Sequence, residues 1–197
     1  FIFGNRSKDD RSSPVLTRSE YKEKLRAINA TDKYRSELAF LTMLLNPQHK
    51  ENILDFGCGL GTAMRHIEAN SGARVFGYDV HPDYYEGDPF KFSQRIAFEI
   101  DSVYLMHSIA HIPDPLHELE KLRINRVRRL TIITPNYDWL CEHRNTDYVP
   151  DPTAHCHYTG ASLAALVADS GWKVEQVGQF GPITNGYNER VFLTAKA

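Results

Sequence analysis

Three glycines at alternate positions follow closely on an acid in the run Asp55-Phe56-Gly57-Cys58-Gly59-Leu60-Gly61. Glycine lacks a Cβ, so such a loop can turn sharply and let a ligand approach the backbone. A second acid, Asp79, stands 24 residues after Asp55, and a carboxylate there can accept hydrogen bonds from ribose hydroxyls. Both features suit a cofactor containing adenosine. The dinucleotide fingerprint GxGxxG cradles a pyrophosphate on helix N-terminal amides, but here Thr62 takes the place of its third glycine. Negative charge is unfavourable beside a pyrophosphate and favourable beside an ammonium or sulfonium. Asp55 therefore points to a cofactor that carries positive charge.

Histidines are the next candidates for chemistry. His111, His155 and His157 are catalytic candidates, because a neutral imidazole can take a proton from a hydroxyl or amine near pH 7. A loop histidine can equally hydrogen-bond to backbone. Cys141-Glu142-His143 and His155-Cys156-His157 contain metal-ligating residue types. Zinc sites usually show two short paired spacings, and adjacent residues of an extended segment face opposite ways, so no metal is expected. Cys58 reads as a small loop residue and Asp88 as a turn residue. Lys121, Arg123, Arg126, Arg128 and Arg129 make a basic run that suits a solvated helix end, where cations meet the dipole well.

The elements that must position these residues follow from periodicity. Thr17 and Glu20 form a possible capping box. Apolar residues at helical spacing continue to Leu45, with a break between Asn29 and Asp32 and a stop at Asn46-Pro47. Next come a strand over 52–56, the glycine loop, a helix over 62–70 and a strand over 74–78. A strand at 102–107, a helix at 114–125, a strand at 129–134, a helix at 162–170 and strands at 174–178 and 190–195 complete the pattern. Residues 136–159 read as irregular and rich in His, Tyr and Pro. This alternation predicts a doubly wound, mainly parallel α/β sheet with helices on both faces. Residues 1–16 read as a flexible arm and 17–197 as one domain, with helices over 17–46 covering the site and 136–159 as a substrate-side insertion.

The chain has 197 residues, 42% of them hydrophobic, and a formal net charge of -2. That balance gives no electrostatic case for a nucleic-acid or membrane partner, although a local patch can hide in a neutral total. No apolar run approaches the ~18 residues needed to span a bilayer, and Phe1-Ile2-Phe3-Gly4 is too short for a signal-peptide core. Three cysteines at irregular spacing do not form a disulfide framework, which predicts a reducing, cytoplasmic setting.

The segment Ile53 to Glu68, ILDFGCGLGTAMRHIE, resembles motif I of the class I S-adenosylmethionine-dependent methyltransferases, and VFGYD (75–79) resembles their second motif. IDSVYLMH (100–107) resembles the fourth-strand segment and AHIPDP (110–115) the EHxxDP turn of small-molecule members. IITPN (132–136) and the stretch from His157-Tyr158-Thr159 to Gly171-Trp172 fall in register. The resemblance implies a Rossmann-like, seven-stranded sheet with its last strand antiparallel. By it, Gly57, Cys58, Gly59 and Gly61 face the methionine portion of the cofactor and Asp55 helps to hold its amino group. Asp79 binds the ribose, Val80 lies against adenine, Asp88 is a candidate for the adenine amine, and His107 lies near the sulfonium. Two departures stand out. The segment between Asp79 and the fourth strand is short, and Ala110 replaces the glutamate of the usual EH pair.

S-Adenosylmethionine is thus the expected cofactor, with S-adenosylhomocysteine as product. The expected partner is a small-molecule acceptor, methylated at O, N or C by in-line displacement, with Tyr137, Trp139, Tyr148 and Tyr158 lining its pocket. No NPPY-type motif follows the fourth strand, which disfavours base-amine methylation of DNA. The alternatives are a methyltransferase-fold binding module without turnover, an RNA methyltransferase and an NAD-dependent oxidoreductase.

Overall fold

Two threonines fix where the first helices begin. In a computed structural model that describes residues 17–92, 99–142, 154–184 and 187–197, Thr17 caps α1 (Arg18–Asn29) and forms the expected capping box with Glu20. Thr31 caps α2 (Asp32–Leu45), which ends at Asn46 in the left-handed conformation. α1 buries no residue, whereas α2 buries Glu37, Leu38, Leu41 and Leu45.

Strands and helices then alternate. β1 (Asn52–Phe56) leads through the glycine loop into α3 (Thr62–Ser71) and β2 (Arg74–Tyr78). β3 (Ser102–Met106), α4 (Pro115–Ile124) and β4 (Arg129–Pro135) follow. After α5 (Tyr137–Glu142) and α6 (Gly160–Asp169), β5 (Lys173–Thr184) and β6 (Tyr187–Lys196) close the sheet. Its order is β2-β1-β3-β4-β6-β5. The first four strands pair in parallel, and β6 runs antiparallel to both β4 and β5.

The doubly wound, mainly parallel sheet and its antiparallel last strand are as the sequence predicts. The count of seven strands is not: the described residues form six. Among the described residues, the outer side of β2 carries only a parallel bridge, Gly77–Phe92. The segment leading to it is spent on two short turns, Pro82–Tyr84 and Pro89–Lys91, and proline cannot donate to a ladder. A second correction concerns 136–159, read as irregular throughout. Asn136 starts α5 there, its main-chain oxygen accepting from Leu140 N and its side chain from Asp138 N. The predicted arm at 1–16, His143 and Tyr148 lie outside the described residues.

Strand alternation divides the core into two layers. Leu54, Val103, Leu105, Leu130 and Ile132 pack on α4 and α6. Ile53, Tyr104, Met106 and Ile133 pack with Leu38 and Leu41 of α2 and with Met64 and Ile67 of α3. Asp55, two residues beyond Ile53, shares this second face.

Candidate active site

The glycine loop opens at the carboxyl end of β1. Gly57, Gly59 and Gly61 all have positive φ, at 89°, 49° and 74°, a region that L side chains rarely adopt. At Gly57 space is decisive as well, because a Cβ there would stand 2.3 Å from Ser108 Cβ. The N–H groups of Gly57 and Cys58 donate to Tyr78 O at 2.7 and 3.1 Å, joining the loop to the end of β2. Asp79 completes the joint. One of its carboxylate oxygens accepts Gly59 N–H at 2.9 Å and the other accepts His81 N–H at 2.8 Å.

Asp55 is 2% exposed. Burial, reinforced by the charge of Asp79 and opposed by Tyr104, pushes its pKa up to about 7. The buried Tyr104 hydroxyl is close enough to exert this influence but meets no partner in full hydrogen-bond geometry. Burial and the charge of Asp55 also raise Tyr34, and the same two causes raise the Cys58 thiol, which stays protonated. Cys58 is thus an inert packing residue. The end of β1 is a place where positive charge is wanted.

His107 follows β3 with φ +60°. Its N–H donates to Ile133 O at 2.8 Å, and its Nε2 lies 2.6 Å from Glu37 Oε2. Glu37 Oε1 accepts from Arg190 Nε at 2.8 Å. Arg190 also pairs with Glu189 at 3.0 Å, and Glu189 with Lys33. Burial pushes the Glu37 carboxyl up, but the hydrogen bond and charge of His107, with Arg190 and Lys33, outweigh it and hold it below the usual carboxylate range. Sequence reasoning missed Glu37, Arg190 and Glu189. One signal was available: Glu37 stands within the apolar stripe Tyr34, Leu38, Leu41, Leu45, where a carboxylate needs a partner.

The other histidines gather at the next turn along this edge. His111 ends the turn Ile109–His111, and Ala110 O accepts the N–H groups of His155 at 2.7 Å and Cys156 at 3.2 Å. His157 stacks on Tyr137 with centroids 5.8 Å apart and planes 9° apart. Tyr137 N–H donates to Tyr158 O at 2.8 Å. The three catalytic candidates thus belong to two segments joined through Ala110, with His155 and His157 exposed and His111 half-buried. Val80 is largely exposed, and Asp88 accepts Phe90 N–H at 3.0 Å, capping its turn. Among the described residues no group of three or more His, Cys, Asp or Glu is placed to hold a metal.

α1 borders the loop. Leu25 lies 3.9 Å from where a Gly59 Cβ would stand, and Asn29 donates to Thr62 Oγ1 at 3.0 Å. Arg18 pairs with Asp83, and Lys22 and Arg26 pair with Glu86. Three members of the basic run form ion pairs: Arg128 meets Asp101, Arg129 meets Glu51 and Lys121 meets Glu118. A hollow of about 450 Å³ between α2 and the β4-β6-β5 end of the sheet is lined by Phe40, Met43, Phe180 and Phe192. It contains none of the loop residues, Asp79 or His107, and is a packing groove remote from this chemistry.

Residues 22–177 match the sequence model of a family described as a methyltransferase domain. No curated protein matches the chain by sequence. Solved structures of the same fold include a SAM-dependent methyltransferase from Aquifex aeolicus, with TM-score 0.65 and 16% identity over 88% of this chain and 97% of that one. The magnesium protoporphyrin IX methyltransferase ChlM of Synechocystis PCC 6803, with bound SAH, aligns with TM-score 0.60 and 14% identity over 93% and 89%. The small RNA methyltransferase HEN1 aligns with TM-score 0.65 and 12% identity over 95% of this chain and 26% of that one. At these identities the likeness is one of fold.

Proposed function

We propose a reaction for this chain on one premise: it belongs to the methyltransferase domain family, whose model its residues 22–177 match. It is an S-adenosylmethionine-dependent methyltransferase acting on a small-molecule acceptor. The observation that carries this reading is the pairing of a buried Asp55 with a glycine loop whose Gly59 amide is hooked to Asp79. A buried carboxyl raised towards neutrality gains most from a cationic neighbour. An anionic pyrophosphate would meet repulsion there, which argues against NAD.

When bound, the cofactor supplies an electrophilic methyl group on a sulfonium. The chain's own residues then have three tasks. Asp55 and the glycine amides orient the methionine portion, and Asp79 the ribose, with Val80 and Asp88 beside adenine. α1 limits the access of water from the side of Gly59. His111, His155 and His157, with Tyr137, Trp139 and Tyr158, form the acceptor side. Alignment of nucleophile and methyl carbon supplies most of the acceleration in such a displacement. Three free thiols, Cys58, Cys141 and Cys156, suit a reducing cytoplasm.

Calorimetric titration with S-adenosylmethionine, S-adenosylhomocysteine and NAD tests the cofactor. Binding of the first two, lost in Asp79→Ala, is expected; binding of NAD alone overturns the reading. Transfer of tritiated methyl to a small-molecule panel, and its absence with short RNAs, tests the acceptor class. Transfer to RNA alone would replace the small molecule by RNA.

A further inference from the structure

We infer that His107, oriented by Glu37, is the proton acceptor in methyl transfer, and that the nucleophile it serves is a hydroxyl. This rests on the methyltransferase reading above and adds to it a base and an acceptor chemistry.

Position comes first. His107 ends β3, and the next residue, Ser108, touches the cofactor loop. Its Oγ donates to Phe56 O, and its Cβ fills the space that a Gly57 side chain would need. His107 is therefore the chain neighbour of the residue that touches the glycine loop.

Orientation comes next. The Glu37 carboxylate accepts hydrogen bonds and cannot donate them, so the nitrogen 2.6 Å from it must be Nε2–H. In the neutral imidazole Nδ1 is then the nitrogen with the free lone pair, and no hydrogen bond to it is formed among the described residues. The side chain is 27% exposed, so this nitrogen can be reached. A carboxylate that fixes the tautomer of a histidine and then stabilises its charged form is the arrangement general bases use.

Glu37 also has Arg190 at 2.8 Å on its other oxygen, so the carboxylate is held in place from both sides. His107 also holds φ +60°, a left-handed conformation that histidine, with asparagine and aspartate, adopts more readily than most residues.

The hydroxyl follows from the base. An uncharged amine attacks without prior loss of a proton, whereas a hydroxyl is a poor nucleophile until its proton is drawn away. In the step, an oxygen lone pair forms the bond to the methyl carbon, and the carbon–sulfur bond breaks with its electron pair passing to sulfur. The hydroxyl proton passes to Nδ1 of His107. The imidazolium faces the Glu37 carboxylate and returns the proton to water before the next turnover. The charged groups linked to it are Glu37 and, through Glu37, Arg190, Glu189 and Lys33.

The test uses the whole chain with tritiated S-adenosylmethionine and a panel of catechol, phenol, simple aliphatic alcohols and thioanisole. His107→Asn keeps a residue that tolerates the left-handed backbone. It is expected to lower turnover of a hydroxyl acceptor on the order of 100-fold or more. S-Adenosylhomocysteine binding is measured alongside, and turnover is compared at cofactor saturation. Glu37→Gln is expected to lower kcat roughly 10-fold, with KM little changed. Turnover of His107→Asn within threefold of the parent, or transfer to thioanisole alone, overturns the inference. A second measurement needs no acceptor. Long-range proton–nitrogen NMR of the protein with S-adenosylhomocysteine should show His107 as the Nε2–H tautomer, disturbed by Glu37→Gln; an Nδ1–H tautomer overturns the inference. Failure of S-adenosylhomocysteine to bind at all would instead remove the methyltransferase reading.

Discussion

Asp55 and Tyr104 are register partners on the neighbouring parallel strands β1 and β3, and their buried side chains face the α2–α3 layer with Ile53 and Met106. A carboxyl group and a phenol have thus been placed where the sheet would otherwise be apolar. Burial, aided by the charge of Asp79, pushes Asp55 from near 3.8 to about 7. Between about pH 4 and about pH 7 the free protein therefore carries a proton there that the unfolded chain has already released.

The sign of the resulting pH dependence follows. The folded pKa exceeds the unfolded one, so the contribution to stability is complete below about pH 4 and is lost as pH rises to about 7. A shift of this size corresponds to a loss on the order of 4 kcal/mol. Asp55→Asn is expected to flatten that decline in the free protein while abolishing cofactor binding. Denaturant unfolding at pH 5 and pH 8, with and without S-adenosylhomocysteine, checks both. A parent whose stability does not fall between these values contradicts the assignment.

Cofactor binding should in turn release a proton. A cationic ligand favours ionised Asp55, so affinity for S-adenosylmethionine is expected to rise with pH and level off above about 7. Calorimetry at pH 6 in two buffers of different ionisation enthalpy reads the proton directly. Equal observed enthalpies in the two would sink this account.

Gly57 and Ser108 divide one space between them, with 2.3 Å from a hypothetical Gly57 Cβ to Ser108 Cβ. Gly57→Ala is expected to destabilise by roughly 1–3 kcal/mol through overpacking, and further through its φ of 89°. Adding Ser108→Gly should recover the steric part and leave the conformational part. Thermal unfolding of the two single variants and the double variant measures the coupling; strict additivity would show that the two residues do not compete.

The glycine loop, Asp79 and the alternation of strands and helices were legible because each is a local pattern. Glu37 was not. Its partners lie 70 and 153 positions away, at His107 and Arg190, and nothing near Glu37 names them. The seventh strand, which the resemblance supplied, is absent among the described residues, where Pro82 and Pro89 open short turns instead. α5 was hidden by Pro135, which reads as a stop although Asn136 behind it is a helix cap. The longer reach of β5 and β6 comes from their mutual pairing through Ile183–Asn188 and Thr184–Tyr187, which no single-strand pattern reveals.

At the opposite end of the sheet, Glu51 gathers Ser102 and Arg129 with the amide of Gln48. Burial pushes Glu51 up, but these hydrogen bonds and the Arg129 charge outweigh it and leave it below the usual range. Its contribution to stability is therefore present above about pH 4.5 and lost as pH falls through the lower folded value. Glu51→Gln is expected to weaken the fold by roughly 1–3 kcal/mol at pH 7 and to lose part of its acid sensitivity. Affinity for S-adenosylhomocysteine, measured by calorimetry on the folded variant, should stay within twofold. A larger change would mean that this network reaches the cofactor end.

α1 presents the opposite balance. It buries no residue, yet it reaches the glycine loop through Leu25 and Asn29. Arg18, Lys22 and Arg26 fasten it to Asp83 and Glu86, with Tyr21 against Tyr84 at 5.6 Å. Solvent-exposed ion pairs are weak and screened by salt, so a helix held chiefly by them should detach before the sheet does. Hydrogen exchange at 18–29 is expected to quicken on going from 50 mM to 1 M NaCl, while 52–56 and 102–106 stay protected. Bound S-adenosylhomocysteine should slow exchange in α1 if the helix closes over the cofactor. Glu86→Gln, which removes the partner shared by Lys22 and Arg26, should reproduce the effect of salt at 50 mM. Exchange in α1 as slow as in β1 under all these conditions would show that apolar contact holds this helix after all.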